Sequence, residues 1–224
     1  DFSPEAVRDA KVRLLRSVPH AGPLEAPLDC VRGQYAQGTD GPAYLDEQRV
    51  RPGSTTETFV AARLTVDNWR WKGVPFILKT GKALAERACH IVVHFRKDDD
   101  TASEANRLLL SIQPDQRVVL TINAKTSGGD SSEREELVGA LRDTAGTYPD
   151  AYERILGDAL RGYSQLFIRF DEAEEAWRLV QPFLEYWKRH PSSGLALYPA
   201  GGNGPDLGAL YRPDAGQDKA ARGA

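Results

Sequence analysis

Three cations gather around one glycine in the run GVPFILKTGKALAER, residues 73–87: Lys79, Lys82 and Arg87 follow the apolar residues Phe76, Ile77 and Leu78. A buried strand that ends in a turn can bring such side chains toward one spot, and Gly81 permits a bend that bulkier residues resist. A phosphate monoester carries nearly two negative charges. A guanidinium fork and an ammonium point donor suit it, and lysine can also donate to sugar hydroxyls. Against this stands the plainer reading of a solvated strand end, because exposed basic residues are commonplace. Spacing alone leaves both open.

Other motifs fail on their context. Ser127-Gly128-Gly129 and the run Ala200 to Pro205 (AGGNGP) are glycine-rich. Neither falls between a strand and a helix, where a dinucleotide fingerprint sets a pyrophosphate on a helix N-terminus. Thr80-Gly81-Lys82-Ala83 mimics the end of a P-loop, but Phe76 stands where a glycine is required and Ala83 where a hydroxyl would hold magnesium. His90 and His94 would ligate one ion only on a helix. In a β-rich run four residues span ~13 Å, so they read as surface-facing strand histidines, with Cys89 on the opposite face, and no metal is expected. Trp69 and Trp71 flank Arg70 and could stack bases. No further aromatic-basic stripe follows, which favours a core and turn role.

The composition narrows the class. Within 224 residues, 29 basic against 32 acidic side chains give a net charge of −3, so no basic field points to nucleic acid. No apolar run approaches the ~18 residues of a membrane span, and the N-terminus lacks a signal-peptide stretch. Two cysteines, Cys30 and Cys89, are too few for a disulfide framework and suit a reducing cytoplasm. The chain opens at Asp1 and holds no methionine, which predicts a piece of a longer polypeptide.

These residues need elements to carry them. Ser3-Pro4-Glu5 opens a helix whose apolar positions Val7, Ala10, Leu14 and Leu15 run to Pro19. The Pro- and Gly-rich stretch from Pro19 to Gly53 predicts irregular surface structure. Thr58–Val66 alternates, with Thr58, Val60, Ala62, Leu64 and Val66 as the inward set. Residues 73–78, 91–95, 108–112 and 118–122 predict four more strands. Gln113 to Gln116 forms a short turn, so the last two pair as a hairpin. Close spacing leaves no room for crossover helices, which predicts antiparallel pairing. Pro149–Leu160 and a run capped by Asp171 predict two helices. The first ends at Gly162. The second carries Ala173, Ala176, Trp177, Val180, Leu184 and Trp187 as its apolar stripe, with Pro182 bending it. The fold class is therefore α+β, a large mainly antiparallel sheet with helices packed on one face. A domain over 1–205 precedes a mobile tail over 206–224.

The run DNWRWKGVPFILKTGKALAER resembles the signature of the C-terminal domain of glucose-6-phosphate dehydrogenases, especially in bacterial form. The resemblance extends through VRDAKVRLLRS, VRGQY, PAYLDE and STTETFVA upstream. Downstream it takes in NRLLLSIQP, PDAYERILGDALRG, SQLFIRFDEAEEAW and a weaker YPAGGNGP, in the family's order.

The resemblance implies oxidation of glucose 6-phosphate to 6-phosphogluconolactone, the first step of the pentose phosphate pathway, with NADP as hydride acceptor. It also implies a cytoplasmic homodimer formed through the large sheet. Lys82 and Arg87 match the family's two basic substrate-binding positions in this segment. The family's catalytic histidine, its phosphate-binding motif and its Rossmann domain match nothing here. His20, His90, His94 and His190 fall at none of these positions, so no catalytic residue is assigned and the chain alone is expected to be inactive. NADP is then bound mainly by the absent N-terminal domain.

Animal members hold a second, structural NADP on this domain. Lys79 matches one of its residues, but Ala88, Val92 and Ser111 replace basic residues and Ala200 a stacking tyrosine, so no such site is expected. Tyr163 and Asn203 also depart from the family pattern, and residues 126–147 fit it poorly. A stand-alone, non-catalytic dimerisation module is the competing expectation. It predicts a natural start near Asp1 and self-association without turnover.

Overall fold

The computed structural model describes residues 3–19, 29–96, 104–125, 132–140, 151–164 and 167–211. In chain order the elements are α1 (Pro4–Arg16), β1 (Cys30–Ala36), β2 (Phe59–Leu64), β3 (Phe76–Gly81), β4 (Cys89–His94), β5 (Arg107–Gln113), β6 (Arg117–Lys125), β7 (Ser132–Ala140), α2 (Ala151–Arg161), α3 (Phe170–Arg189) and β8 (Leu195–Pro199). They fall into two compact units. One comprises Asp1–Ala85 with Ala151–Ala224, and the other Glu86–Asp150. The α+β class and the mainly antiparallel pairing hold. The strands are divided between two four-stranded sheets, one in each unit.

In the first unit the order is β3-β2-β1-β8, antiparallel except for the parallel pair β1–β8. Strand β1 lies where the sequence predicted irregular structure, and no strand was predicted over β8. Gly33 shows why the pattern was weak. A Cβ there would meet the Pro205 ring at 2.7 Å and the Ala196 carbonyl at 3.1 Å, so the centre of β1 has given up its side chain to close packing. The inward parity of β2 is also reversed. Phe59 and Ala61 are buried, while Val60, Ala62 and Leu64 are only half-buried. Phe59 packs edge-on against Tyr198, at 5.6 Å between ring centroids, and Leu210 completes the cluster. Leu210 belongs to a short 3-10 turn, Gly208–Tyr211, so residues 206–211 contribute to the core although the sequence placed them in a tail. Residues 212–224 lie outside the described residues.

The other face of this sheet carries the helix. Arg32 of β1 pairs in register with Val60, and its guanidinium sits 5.2 Å from the centroid of the Trp187 ring of α3. The Arg32 side chain donates to the carbonyls of Ser193, His190 and Pro191 and lies 3.7 Å from Glu57. These partners satisfy a buried charge and tie β1 to the end of α3. Its pKa is lowered by burial, an effect opposed by Glu57. Together with Thr55, Thr56, Leu184 and Lys188 these groups line a cavity of about 200 Å³.

Helix α1 starts as read: Ser3 Oγ accepts from the Ala6 N–H at 3.3 Å and Pro4 takes the first helical position. Polar contacts tie it to α3. Arg16 meets Glu175 at 2.7 Å, Lys11 meets Glu172 at 3.4 Å, and Arg178 donates to the Leu15 carbonyl at 2.9 Å. Asp171 is not the cap of α3: Arg169 occupies that place, and Asp171 pairs with it from inside the first turn at 2.7 Å. The predicted stripe of α3 is split. Pro182 and Trp187 are buried, whereas Trp177 and Val180 face solvent. Helix α2 ends at Gly162, with φ 74, as its sequence predicted. Its Tyr152, Leu156 and Leu160 are exposed.

The second unit is an antiparallel sheet, β4-β5-β6-β7, with β5 and β6 forming the predicted hairpin. The register places Ile91, Val93, Leu108, Leu110, Leu120 and Leu137 on one face, and none of them is buried. On the opposite face Thr121 is buried beside Arg107 and Glu136. Strand β7 (SEREELVGA) was not legible, since four successive charged residues hide its period of two. On an edge strand those charges oppose pairing with another chain. Among the described residues no helix is long and apolar enough to cross a membrane, and no cluster of three metal-ligating side chains occurs.

Candidate functional site

Strand β3 lies at the edge of its sheet, so the run Phe76-Ile77-Leu78 is not a buried strand: Phe76 and Ile77 are half-buried and Leu78 is exposed. Lys79, near the end of the strand, donates from Nζ to the Asn203 carbonyl at 3.0 Å and stands 5.8 Å from the Phe59 ring centroid. That lysine is thereby turned toward the loop after β8.

Lys82 follows the strand directly. Its N–H donates to the Thr58 carbonyl and its own carbonyl accepts from the Tyr198 hydroxyl, both at 2.8 Å. The side chain is exposed, and among the described residues no carboxylate pairs with it. A free ammonium on a fixed backbone can bind an anion without first breaking an ion pair.

Gly81 does not supply the left-handed residue of this turn. Ala83 does, with φ 46. Such a conformation costs a β-carbon-bearing residue ~1 kcal/mol or more and persists where neighbours over-determine it. Here they do: Gly201 donates to the Ala83 carbonyl and Ala85 to the Gly202 carbonyl, both at 2.9 Å. The role of Gly81 is close approach, because a Cβ there would meet Phe59 at 2.7 Å and Leu84 at 3.1 Å.

Arg87 belongs to the second unit, just ahead of β4, and is exposed without a carboxylate partner among the described residues. The two predicted substrate residues thus stand on opposite sides of the boundary between the units. His90 and His94 share one face of β4 and are exposed. His190 ends α3, stacked on Tyr186 at 4.4 Å. His20 lies outside the described residues.

The supports of Lys82, namely Thr58, Tyr198 and the Gly201–Gly202 backbone, escaped the sequence reading. Only the short YPAGGNGP motif marked that loop. Glycine conformation gave the remaining signal: Gly201 and Gly204 have φ of 85 and 88, and a Cβ on Gly204 would meet Phe59 at 2.4 Å.

This glycine-rich loop leads from β8 into the four-residue turn Gly208–Tyr211. Ala200, where a stacking tyrosine would stand, is buried, with Thr39 Oγ1 on its carbonyl at 3.5 Å.

Comparisons with known proteins agree on one family. The family described as "Glucose-6-phosphate dehydrogenase, C-terminal domain" matches residues 1–215. A glucose-6-phosphate 1-dehydrogenase of Dickeya dadantii is 37% identical over 221 residues, 92% of this chain and 45% of the relative. One from Gluconobacter oxydans is 41% identical over 213 residues, 90% of this chain and 43% of the relative. Among solved structures, a glucose-6-phosphate dehydrogenase in complex with its substrate glucose-6-phosphate superposes with a TM-score of 0.78 at 34% identity. It is matched over 92% of this chain and 44% of its own. The Mycobacterium avium glucose-6-phosphate 1-dehydrogenase gives 0.74 at 33%, over 92% and 42%. The chain spans less than half the length of the relatives it matches.

Proposed function

The chain belongs to the glucose-6-phosphate dehydrogenase family through that family's C-terminal domain, and from this premise we propose that it works as the sugar-phosphate-binding and dimerising part of such an enzyme. In this reading the native polypeptide oxidises glucose 6-phosphate to 6-phosphogluconolactone with NADP as the hydride acceptor, in the cytoplasm. The observation that carries the reading is Lys82: an exposed ammonium, unpaired among the described residues, on a backbone held by Thr58 and Tyr198.

The chemistry assigns it a role in binding. An ammonium at this position donates to the phosphate or to a neighbouring hydroxyl, and the forked cation of Arg87 is the other substrate-binding position that matches the family. Such a contact fixes the sugar so that its reacting carbon is presented in one orientation, which is where positioning gains rate. Removing a hydride from that carbon also needs a base within hydrogen-bond reach of its hydroxyl. No residue of this chain is assigned that task, nor the main part in binding NADP. Both functions are placed in the family's N-terminal domain, and the isolated 224-residue chain is expected to show no turnover.

Exposed apolar surfaces favour a larger assembly. Leu156 and Leu160 of α2 and Trp177 of α3 stand in solvent at 62%, 90% and 61% exposure, large apolar side chains that a partner surface would cover. The aliphatic face of the β4–β7 sheet is the surface proposed for the homodimer. The test is glucose 6-phosphate-dependent reduction of NADP by the purified native polypeptide. Turnover supports the reading; a protein that dimerises yet never reduces NADP favours the stand-alone module.

A further inference from the structure

The phenol of Tyr198 is almost wholly buried, at 1% exposure, yet it serves the turn that carries the exposed Lys82. Its ring is held between Phe59 and Tyr35, with centroids at 5.6 and 6.4 Å. Its hydroxyl lies 2.8 Å from the Lys82 carbonyl, 3.2 Å from the Thr58 carbonyl and 3.0 Å from Thr58 Oγ1.

A phenol has one proton, and its shortest contact is the Lys82 carbonyl. The Thr58 hydroxyl can then donate to the phenol oxygen while accepting from the Tyr35 N–H at 3.0 Å. The result is a directed chain: Tyr35 N–H to Thr58 hydroxyl, Thr58 hydroxyl to Tyr198 hydroxyl, Tyr198 hydroxyl to Lys82 carbonyl. Successive bonds of this kind reinforce one another in a buried setting. Burial also pushes the Tyr198 pKa up from 10.0, so the donating proton stays in place at neutral pH.

The same peptide is held from its other end by the Lys82 N–H on the Thr58 carbonyl at 2.8 Å. Beyond it the left-handed Ala83 is locked by Gly201. The direction in which the Lys82 side chain leaves the backbone is therefore set by the buried Tyr198 together with the half-buried Thr58 and Gly201. A long side chain amplifies small backbone rotations, and a displacement of ~1 Å at a binding group lowers rates substantially.

We propose that Tyr198 is a positioning residue for Lys82, its buried O–H on the Lys82 carbonyl aiming the ammonium at the sugar phosphate. The role rests on Lys82 being a substrate-binding residue, as argued above. It explains a tyrosine here in place of phenylalanine. Phenylalanine would fill the same core space but leave the Lys82 carbonyl without its partner.

The experiment is a double-mutant cycle in the native polypeptide, with steady-state kinetics of Tyr198→Phe, Lys82→Ala and the pair, and a thermal melt of each. Tyr198→Phe is expected to raise KM for glucose 6-phosphate about five- to tenfold while kcat and KM for NADP stay within about twofold. In the Lys82→Ala background the same change is expected to add nothing, a silence that a general loss of stability would not produce. If Lys82→Ala raises KM and Tyr198→Phe leaves it unchanged, or if the two effects add, the positioning role is overturned while the reading of Lys82 stands. If Lys82→Ala itself leaves KM unchanged, that reading falls, and the positioning role with it. Should Tyr198→Phe fail to fold, Thr58→Val removes the hydroxyl that orients the phenol. A KM rise that vanishes without Lys82 supports the proposal, and an unchanged KM overturns it.

Discussion

Gly81→Ala adds one methyl group where β3 meets its turn, and the structure predicts a loss although alanine favours extended backbone over glycine. The new Cβ would sit 2.7 Å from Phe59 Cδ2 and 3.1 Å from Leu84 Cδ1. Phe59 has no room to retreat: it is 1% exposed, Tyr198 lies edge-on to it, and Gly204 already crowds the same Cδ2–Cε2 edge of its ring. Overpacking a core site of this kind costs ~1–3 kcal/mol. Against it stands ~0.4–1 kcal/mol from the reduced freedom of the unfolded chain. The net expectation is a destabilisation of ~1–2 kcal/mol. At ~2–4 °C per kcal/mol for a chain of this size, the melting temperature should fall by ~2–8 °C.

The assay is thermal unfolding by circular dichroism of wild type, Gly81→Ala, Phe59→Leu and the double variant. Phe59→Leu opens space beside the new methyl, so the double variant should lose less than the sum of the two single losses. An unchanged or raised melting temperature in Gly81→Ala would refute the claim that close approach to Phe59, and not turn conformation, requires glycine there.

Burial raises the Cys30 thiol from 9.0 to about 12, whereas Cys89 is exposed. At pH 8 only about one Cys30 in ten thousand is then thiolate, so iodoacetamide should label Cys89 first; mass spectrometry finding equal labelling would contradict this. Glu175 is held below its ordinary 4.5 by hydrogen bonds from Arg16 and then Arg178. A depressed carboxyl supplies stability that is present above its unfolded value and lost as pH falls through the folded one. The α1–α3 contact should therefore loosen in acid below about pH 4.5, read as faster amide exchange in α1, and Glu175→Gln should remove that acid step. Leu120→Lys places a charge at the centre of the aliphatic sheet face. It should shift the proposed dimer to monomer in sedimentation velocity, and an unchanged dimer would exclude that face.

Much of the framework was legible because it rests on local rules. Ser3-Pro4 starts α1, Gly162 stops α2, and the turn between Gln113 and Gln116 joins β5 to β6 as read. What escaped depends on partners distant in sequence. β1 and β8 pair across some 160 residues, and a strand that gives up its side chain at Gly33 has no pattern to announce it. The inward face of α3 toward α1 is built from Glu172, which meets Lys11, Glu175, which meets Arg16 and Arg178, and Arg178, which donates to the Leu15 carbonyl. Hydropathy therefore pointed to Trp177 and Val180 on the opposite side. At the candidate site the cations were visible, but the groups that hold Lys82 were not. Tyr198 acts through a carbonyl, and no residue-type pattern records a carbonyl's partner.

Lys82 as a ligand of the sugar phosphate, at its phosphate or at a hydroxyl, carries the proposed function. The direct measurement is kcat/KM of the native polypeptide and of Lys82→Ala for glucose 6-phosphate, with unphosphorylated glucose beside it. Loss of one charge-assisted contact worth ~1.5–3 kcal/mol should lower the value for glucose 6-phosphate by about 10- to 150-fold, and glucose loses little if the ammonium meets the phosphate and as much if it meets a hydroxyl. An unchanged kcat/KM for glucose 6-phosphate would contradict the role given to Lys82.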